Sequence, residues 1–202
     1  MNLKLDPIWV KSTTRFLLMS DIKINMGCGW RNFGPDWVHI DAGDYDHLDY
    51  ESITDLSQFE DGSVDLIYAS HVIEYFDREE VIDLLTEWSR VLKKNGTLRI
   101  AVPDFGTLTW LYRTNRMNLS QMLGPLYGKM KMGNETIYHK TAYDIDSLTD
   151  VLENAGFTSV RRYRWTETEH AEFDDHSQAY IPHMDKKNGF LISLNVESVK
   201  NV

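Results

Sequence analysis

The chain has one cysteine, Cys28, so no intrachain disulfide can form. That suits a reducing compartment, and a cytoplasmic protein is expected. No apolar run approaches the roughly 20 residues that cross a bilayer, so no membrane partner is predicted. The first residues lack a basic segment followed by an apolar core, so no signal peptide is predicted either. Cations are scarce: Lys and Arg number 21 against 31 Asp and Glu, a formal net charge of −10. Nucleic-acid backbones are bound by basic surfaces, which sets nucleic acid aside as a partner. There is no internal repeat and no low-complexity segment. The histidines between Glu167 and Asp185 match no metal-ligand spacing, so no metal is expected. At 202 residues the chain fits one domain, 1–202, with a sizeable core.

One stretch organises the rest. Ile22, Ile24 and Met26 form a short apolar run that stops at Gly27-Cys28-Gly29. A second run, Trp37-Val38-His39-Ile40, ends at Asp41. The pattern predicts a strand, a glycine turn, a compressed connection and a second strand closed by a carboxylate. Glycines at a strand end let a ligand approach the backbone. A carboxylate at the end of the next strand can accept hydrogen bonds from both hydroxyls of a ribose. A dinucleotide fingerprint would place a third glycine at position 32, where the chain has Asn32. Its acidic residue would also come about 20 positions on, later than Asp41 does. A phosphate cradle, and with it a nicotinamide-dependent oxidoreductase, is weakly supported. S-adenosylmethionine (SAM) needs glycines and ribose acceptors but no anion site.

From Gly27 onward the chain resembles the class I SAM-dependent methyltransferases, in the small bacterial branch where GCG is soon followed by G-W-x-x-I-D. Three further blocks carry the resemblance: residues 64–76 (VDLIYASHVIEYF), residues 90–104 (RVLKKNGTLRIAVPD) and residues 143–160 (YDIDSLTDVLENAGFTSV). The departures are Asn25 where the family has an acid, Trp30-Arg31 in the third-glycine region, Tyr75 for a histidine and Asn95 for a glycine. The resemblance implies a Rossmann-like α/β fold, with a mainly parallel seven-stranded sheet, an antiparallel C-terminal edge hairpin and helices on both faces. It implies SAM as cofactor, met by Asn25, Gly27, Cys28, Gly29, Asp41, Asp55, Leu56, Ser70 and His71. Ile53-Thr54-Asp55-Leu56 reads as the short third strand, with Asp55 accepting from the adenine amine; its plainer reading is a cap.

Along the chain, residues 1–20 read as a cap on the domain. Asp77 and Glu80 form a capping-box pattern before the stripe Val81, Leu84, Leu85, Trp88, Val91, Leu92, with Trp88 a core residue. Asp144 caps a second helix that Gly156 stops. Residues 105–140 hold Trp110, Tyr112, Tyr127 and Tyr138 in a long insertion, which reads either as a lid over the acceptor or as helices packed on the sheet edge. Arg161, Arg162 and Arg164 read as solvated positions on an edge strand, and His170, His176 and His183 as a polar rim.

The expected reaction is SAM-dependent methyl transfer to a small-molecule or saccharide-type acceptor. His71, Asp104 and His139 are the candidate bases, each placed at or near a strand end or the insertion. The alternative is an inactive SAM-binding or interaction module of the same fold. The acceptor and the oligomeric state are not legible in the sequence.

Overall fold

The computed structural model describes residues 21–133 and 135–201. The cap expected over 1–20 lies outside the described residues. The first strand, β1 (Lys23–Met26), pairs in parallel with β2 (Val38–Ile40) on one side and β3 (Val64–Ser70) on the other. No helix joins β1 to β2, so the compressed connection is real. Helix α1 (Glu80–Val91) buries Val81, Leu84, Leu85, Trp88 and Val91 on the stripe its spacing predicts. Asp77 Oδ1 accepts from the Glu80 amide at 2.9 Å, and Glu80 Oε2 accepts from the Asp77 amide at 3.2 Å. This is the capping box. Trp88 is fully buried and donates its indole N–H to the Ile53 carbonyl at 2.8 Å.

Strand β4 (Leu92–Pro103) runs parallel to β3, with a register shift that takes up the Asn95-Gly96 turn. Beyond it come α2 (Phe105–Arg113), α3 (Leu119–Tyr127) and a small antiparallel pair, β5 (Met130–Met132) with β6 (Glu135–Ile137). The insertion is therefore helical, with its own small core of Leu108, Leu111, Met117, Met122 and Ile192. Helix α4 (Ile145–Asn154) is capped by Asp144, whose side chain accepts from the Ser147 amide at 2.9 Å. Strand β7 (Phe157–Arg162) follows, with Phe157 drawn into the core. A short pair, β8 (Tyr180–Ile181) with β9 (Phe190–Leu191), precedes β10 (Ser193–Lys200).

The sheet order is β2-β1-β3-β4-β10-β7, with β10 antiparallel to both neighbours. The expected fold class is present, with six strands in this sheet and not seven among the described residues. Residues 53–56 form no strand. Their neighbourhood is rich in Asp and Ser, whose side chains cap backbone amides locally: Asp49 takes the His39 amide, Ser52 that of Asp55, and Asp55 that of Ser57. Such bonds compete with a ladder. Only a single bridge, Ile40 to Tyr50, marks where the edge strand would lie. The antiparallel edge pair exists, but a long connection through β8 and β9 replaces a tight hairpin. On the β7 edge, Arg161 pairs with Glu197, Arg162 with Asp104 and Arg164 with Glu167. His170 is not on a polar rim. It is buried, with its ring centroid 3.9 Å from that of Tyr68, tilted, and 5.9 Å from that of Phe33, stacked, and burial pushes its imidazole down to about 4. The aromatic cluster of Phe33, Trp37 and Tyr68 made it a core residue.

Candidate functional site

The parallel strands β1, β2, β3 and β4 end on one edge of the sheet, where open α/β folds bind ligands. At the end of β1, Gly27 and Gly29 take positive φ of 65° and 57°. The Gly27 amide donates to the Ile40 carbonyl at 2.7 Å, which locks the turn to β2. A Cβ on Gly27 would run into the Val72 side chain, whereas one on Gly29 would meet nothing within 4 Å. The first glycine is required by packing and the second borders open space. Asp41, at the end of β2, accepts from the Gly29 amide at 2.7 Å and from the Gly43 amide at 2.7 Å. One bond falls on each carboxylate oxygen, so each keeps a lone pair for a further donor.

Asn25 is buried in β1, and its amide Nδ2 has no hydrogen-bond partner among the described residues. An orphaned donor below a glycine turn invites an acceptor from a ligand. Cys28 is buried with its sulfur 3.7 Å from His47 Nε2. Burial first, then Asp41, pushes the thiol up to about 12, so it is no nucleophile. Asp55 faces solvent and caps its own turn at Ser57, while the Leu56 side chain lies wholly in the core. Ser70 Oγ lies 3.4 Å from Asp175 Oδ1.

After β3 the chain turns sharply at His71, which has a φ of 57°. The following short 3-10 turn, Ile73–Tyr75, carries Glu74 inward. Glu74 is fully buried, and neither carboxyl oxygen makes an aligned hydrogen bond among the described residues. His71 Nδ1 stands 3.2 Å from its Oε1, and His139 Nε2 stands 3.9 Å from the same atom. Burial pushes the Glu74 carboxyl up to about 8. Burial, and then the nearby His176, His139 and Arg31, hold the His71 imidazole well below its ordinary range; the His176 backbone opposes this. His176 stands at the solvent edge with its ring 5.1 Å from that of His71.

His139 comes from the far end of the insertion. Its Nδ1 lies 3.1 Å from the Pro125 carbonyl, an acceptor only, so Nδ1 carries the proton and Nε2 faces Glu74. Two of the three candidate bases, His71 and His139, thus meet around Glu74. The third, Asp104, is engaged elsewhere. It caps α2 through the Thr107 amide at 3.1 Å and pairs with Arg162 at 3.1 Å. Glu74 was missed in the sequence, and His176 was read only as a rim position. A lone acid inside the apolar run Val72-Ile73-Glu74-Tyr75-Phe76 was the available signal for the first.

Residues 38–100 match a methyltransferase-domain family. That segment runs from β2 into β4 and includes Asp41, His71 and Glu74, but not the glycine turn. No curated protein matches the sequence. Solved structures of the same fold include a SAM-dependent methyltransferase from Methanosarcina mazei, 17% identical over 99% of this chain and 100% of that one, with a TM-score of 0.56. Another is a SAM-dependent methyltransferase from Archaeoglobus fulgidus, 14% identical over 96% and 94%, TM-score 0.53. A third is the 1,6-didemethyltoxoflavin-N1-methyltransferase from Burkholderia thailandensis, solved with that compound and S-adenosylhomocysteine, 10% identical over 96% and 78%, TM-score 0.51.

Proposed function

We propose that this chain is a class I SAM-dependent methyltransferase with S-adenosylmethionine as cofactor, a reading supported by its fold and by the methyltransferase-domain match over residues 38–100. The residues fit that cofactor. The open space beside Gly29, the spare lone pairs of Asp41 and the orphaned amide of Asn25 suit a nucleoside with an amino-acid tail. Asp41 would hold the ribose hydroxyls and Asn25 the tail. The backbone of residues 27–29 would lie along the ligand, with Ser70 and His71 at its reacting end. Asp55 would reach adenine only by leaving its cap at Ser57.

Bound SAM supplies an electrophilic methyl group on a sulfonium, so the protein's main task is alignment of the acceptor. The acceptor proposed is a small molecule carrying a hydroxyl or an amine, a saccharide included. His71 takes the proton that such a group loses, at Nε2. Glu74, once ionised, accepts from Nδ1–H, fixes that tautomer and stabilises the imidazolium. His139 Nε2 faces the Glu74 carboxyl from the side of the insertion at 3.9 Å, too far for a direct hydrogen bond. Trp30, 69% exposed beside the glycine turn and stacked under Arg31, offers an aromatic face to a ring-shaped acceptor.

The observation that carries this reading is the Gly29–Asp41 pairing, which sets a glycine turn and a carboxylate around one open space. Calorimetric titration with S-adenosylhomocysteine tests it, with Asp41→Ala as control. Micromolar binding lost in the variant is expected. Absence of binding by the folded wild type would remove the cofactor reading. A second reading is a SAM-binding module without transfer. It is favoured by Asn25, which stands where the resembling family has an acid, by Trp30 in the third-glycine region and by the helix-free connection after the turn, and it predicts binding with no turnover on any acceptor.

A further inference from the structure

Ten large hydrophobic side chains are exposed among the described residues, and eight of them lie between Phe105 and Tyr138. The concentration is not a scatter of ordinary surface residues. On α3, Leu119, Leu123 and Tyr127 recur at helical spacing on one outer stripe, 55%, 45% and 58% exposed, while Met122 points to the small core. The helix itself, LSQMLGPLY, carries no charged residue. Cations bracket it: Arg113 and Arg116 come before, Lys129 and Lys131 after, and all four are exposed. From 105 to 140 there are five cations against one acid, Glu135; Lys140 is paired with Glu80 at 2.8 Å, which leaves the four that bracket the helix. The whole chain has a formal charge of −10. The insertion is thus a basic, aromatic and apolar patch on an acidic molecule.

The chemistry of that patch selects an occupant. A protein interface needs about one hydrogen bond per 100–200 Å². Helix α3 offers few polar groups, and its Gln121 is already tied into the cap with Asn118 at 2.9 Å and 3.0 Å. A lipid surface asks for no such pairing. It asks for Leu and Met to enter the acyl boundary, for Trp and Tyr at headgroup level and for Lys and Arg against phosphates. Trp110, Tyr112, Met130 and the two cation pairs supply these. A concavity of about 610 Å³ beside α3, bordered by Arg113, Arg116 and Tyr112, is of a size and charge for a phosphate headgroup.

We propose that this face docks on the surface of an anionic lipid bilayer, with α3 along the interface and its flanking cations on lipid phosphates. The sequence-based expectation of no membrane partner considered only crossing. No helix among the described residues is long and apolar enough to cross, and surface docking needs none. The negative remainder of the molecule turns away from the same surface, so the charge asymmetry also sets the orientation. His139 sits at the end of this insertion and faces Glu74, so docking would place the acceptor side of the site near the lipid.

Vesicle co-sedimentation of the full chain tests this without any need for activity. Phosphatidylcholine vesicles are compared with vesicles that also contain phosphatidylglycerol, at low and at high salt. Binding only to the anionic vesicles, weakened by salt, is expected. Leu123→Glu should weaken it at least tenfold. Lys129→Ala and Lys131→Ala should each weaken it roughly fivefold, or about 1 kcal/mol. These positions are exposed, so the variants keep the fold. Failure to bind either vesicle overturns the proposal, as does equal binding to both. Self-association that Leu123→Glu abolishes, without vesicle binding, overturns it in favour of a second copy.

Discussion

Glu74 is a fully buried carboxyl whose close polar neighbours are two histidines, and its protonation is linked to both stability and chemistry. Its ordinary value of 4.5 is raised to about 8 in the fold. Between those two pH values the unfolded chain releases the proton while the folded chain keeps it. The stability this group contributes is therefore present below 4.5 and lost as pH rises to about 8, by about 1.4 kcal/mol per pH unit. Glu74→Gln should leave stability unchanged near pH 4.5 and raise it above pH 8, as read by urea unfolding at both. Methyl transfer should respond in the opposite sense. Wild-type turnover rises through about pH 8, where the ionised carboxyl begins to orient His71, and the variant loses that rise. A variant that slows the reaction without changing its pH profile would remove Glu74 from the mechanism. The two glycines of the turn make a second contrast. Both have positive φ, so alanine at either brings backbone strain of roughly 1–2 kcal/mol. Gly27→Ala adds a collision with Val72 and should lower the melting temperature more than Gly29→Ala does. Gly29→Ala, whose Cβ enters the open space, should lose S-adenosylhomocysteine affinity while remaining folded.

Among the elements, those with a complete local code were legible. The stripe of α1 is spaced at helical period and its capping box closes within four residues, so no distant contact was needed to place it. The same holds for α4. Asp144 there accepts from the Ser147 amide, and Ser147 answers with its hydroxyl 3.0 Å from the Asp144 amide. Asp144→Ala should cost about 1 kcal/mol, measurable as a shift in the urea midpoint with an unchanged slope. The strand expected at 53–56 was not legible, because short Asp and Ser side chains took the backbone amides that a ladder would need. Of the histidines of 167–185, His170 was misread for a related reason. The spacing of these histidines says nothing of Phe33 and Tyr68, far away in sequence, which draw His170 into an aromatic cluster. Glu74 belongs to the same class: its role depends on His139, brought to it by the folding-back of the insertion.

At the scale of the molecule, the glycine turn, Asp41 and the His71–Glu74 turn meet only because parallel strands end on one edge. The glycine turn, Asp41 and His71 were each visible alone in the sequence, Glu74 was not, and the sheet order is what joins them. Antiparallel β10 covers β4 from Ser193 to Val199 and leaves the ends of β1, β2 and β3 to the site. A ligand that bridges β1 and β2 there stabilises the whole cooperative unit and not a single loop. S-adenosylhomocysteine at a hundredfold excess over its dissociation constant should add about 2.7 kcal/mol. For a chain of this length that is a rise of roughly 5–10 °C in melting temperature. Glu74→Gln should keep the full rise, because it alters proton transfer and leaves Asp41 in place. Asp41→Ala should lose most of it. A rise that survives in Asp41→Ala would move the nucleoside away from the end of β2. Loss of the rise in Glu74→Gln would make Glu74 a cofactor-binding residue instead of the partner of His71.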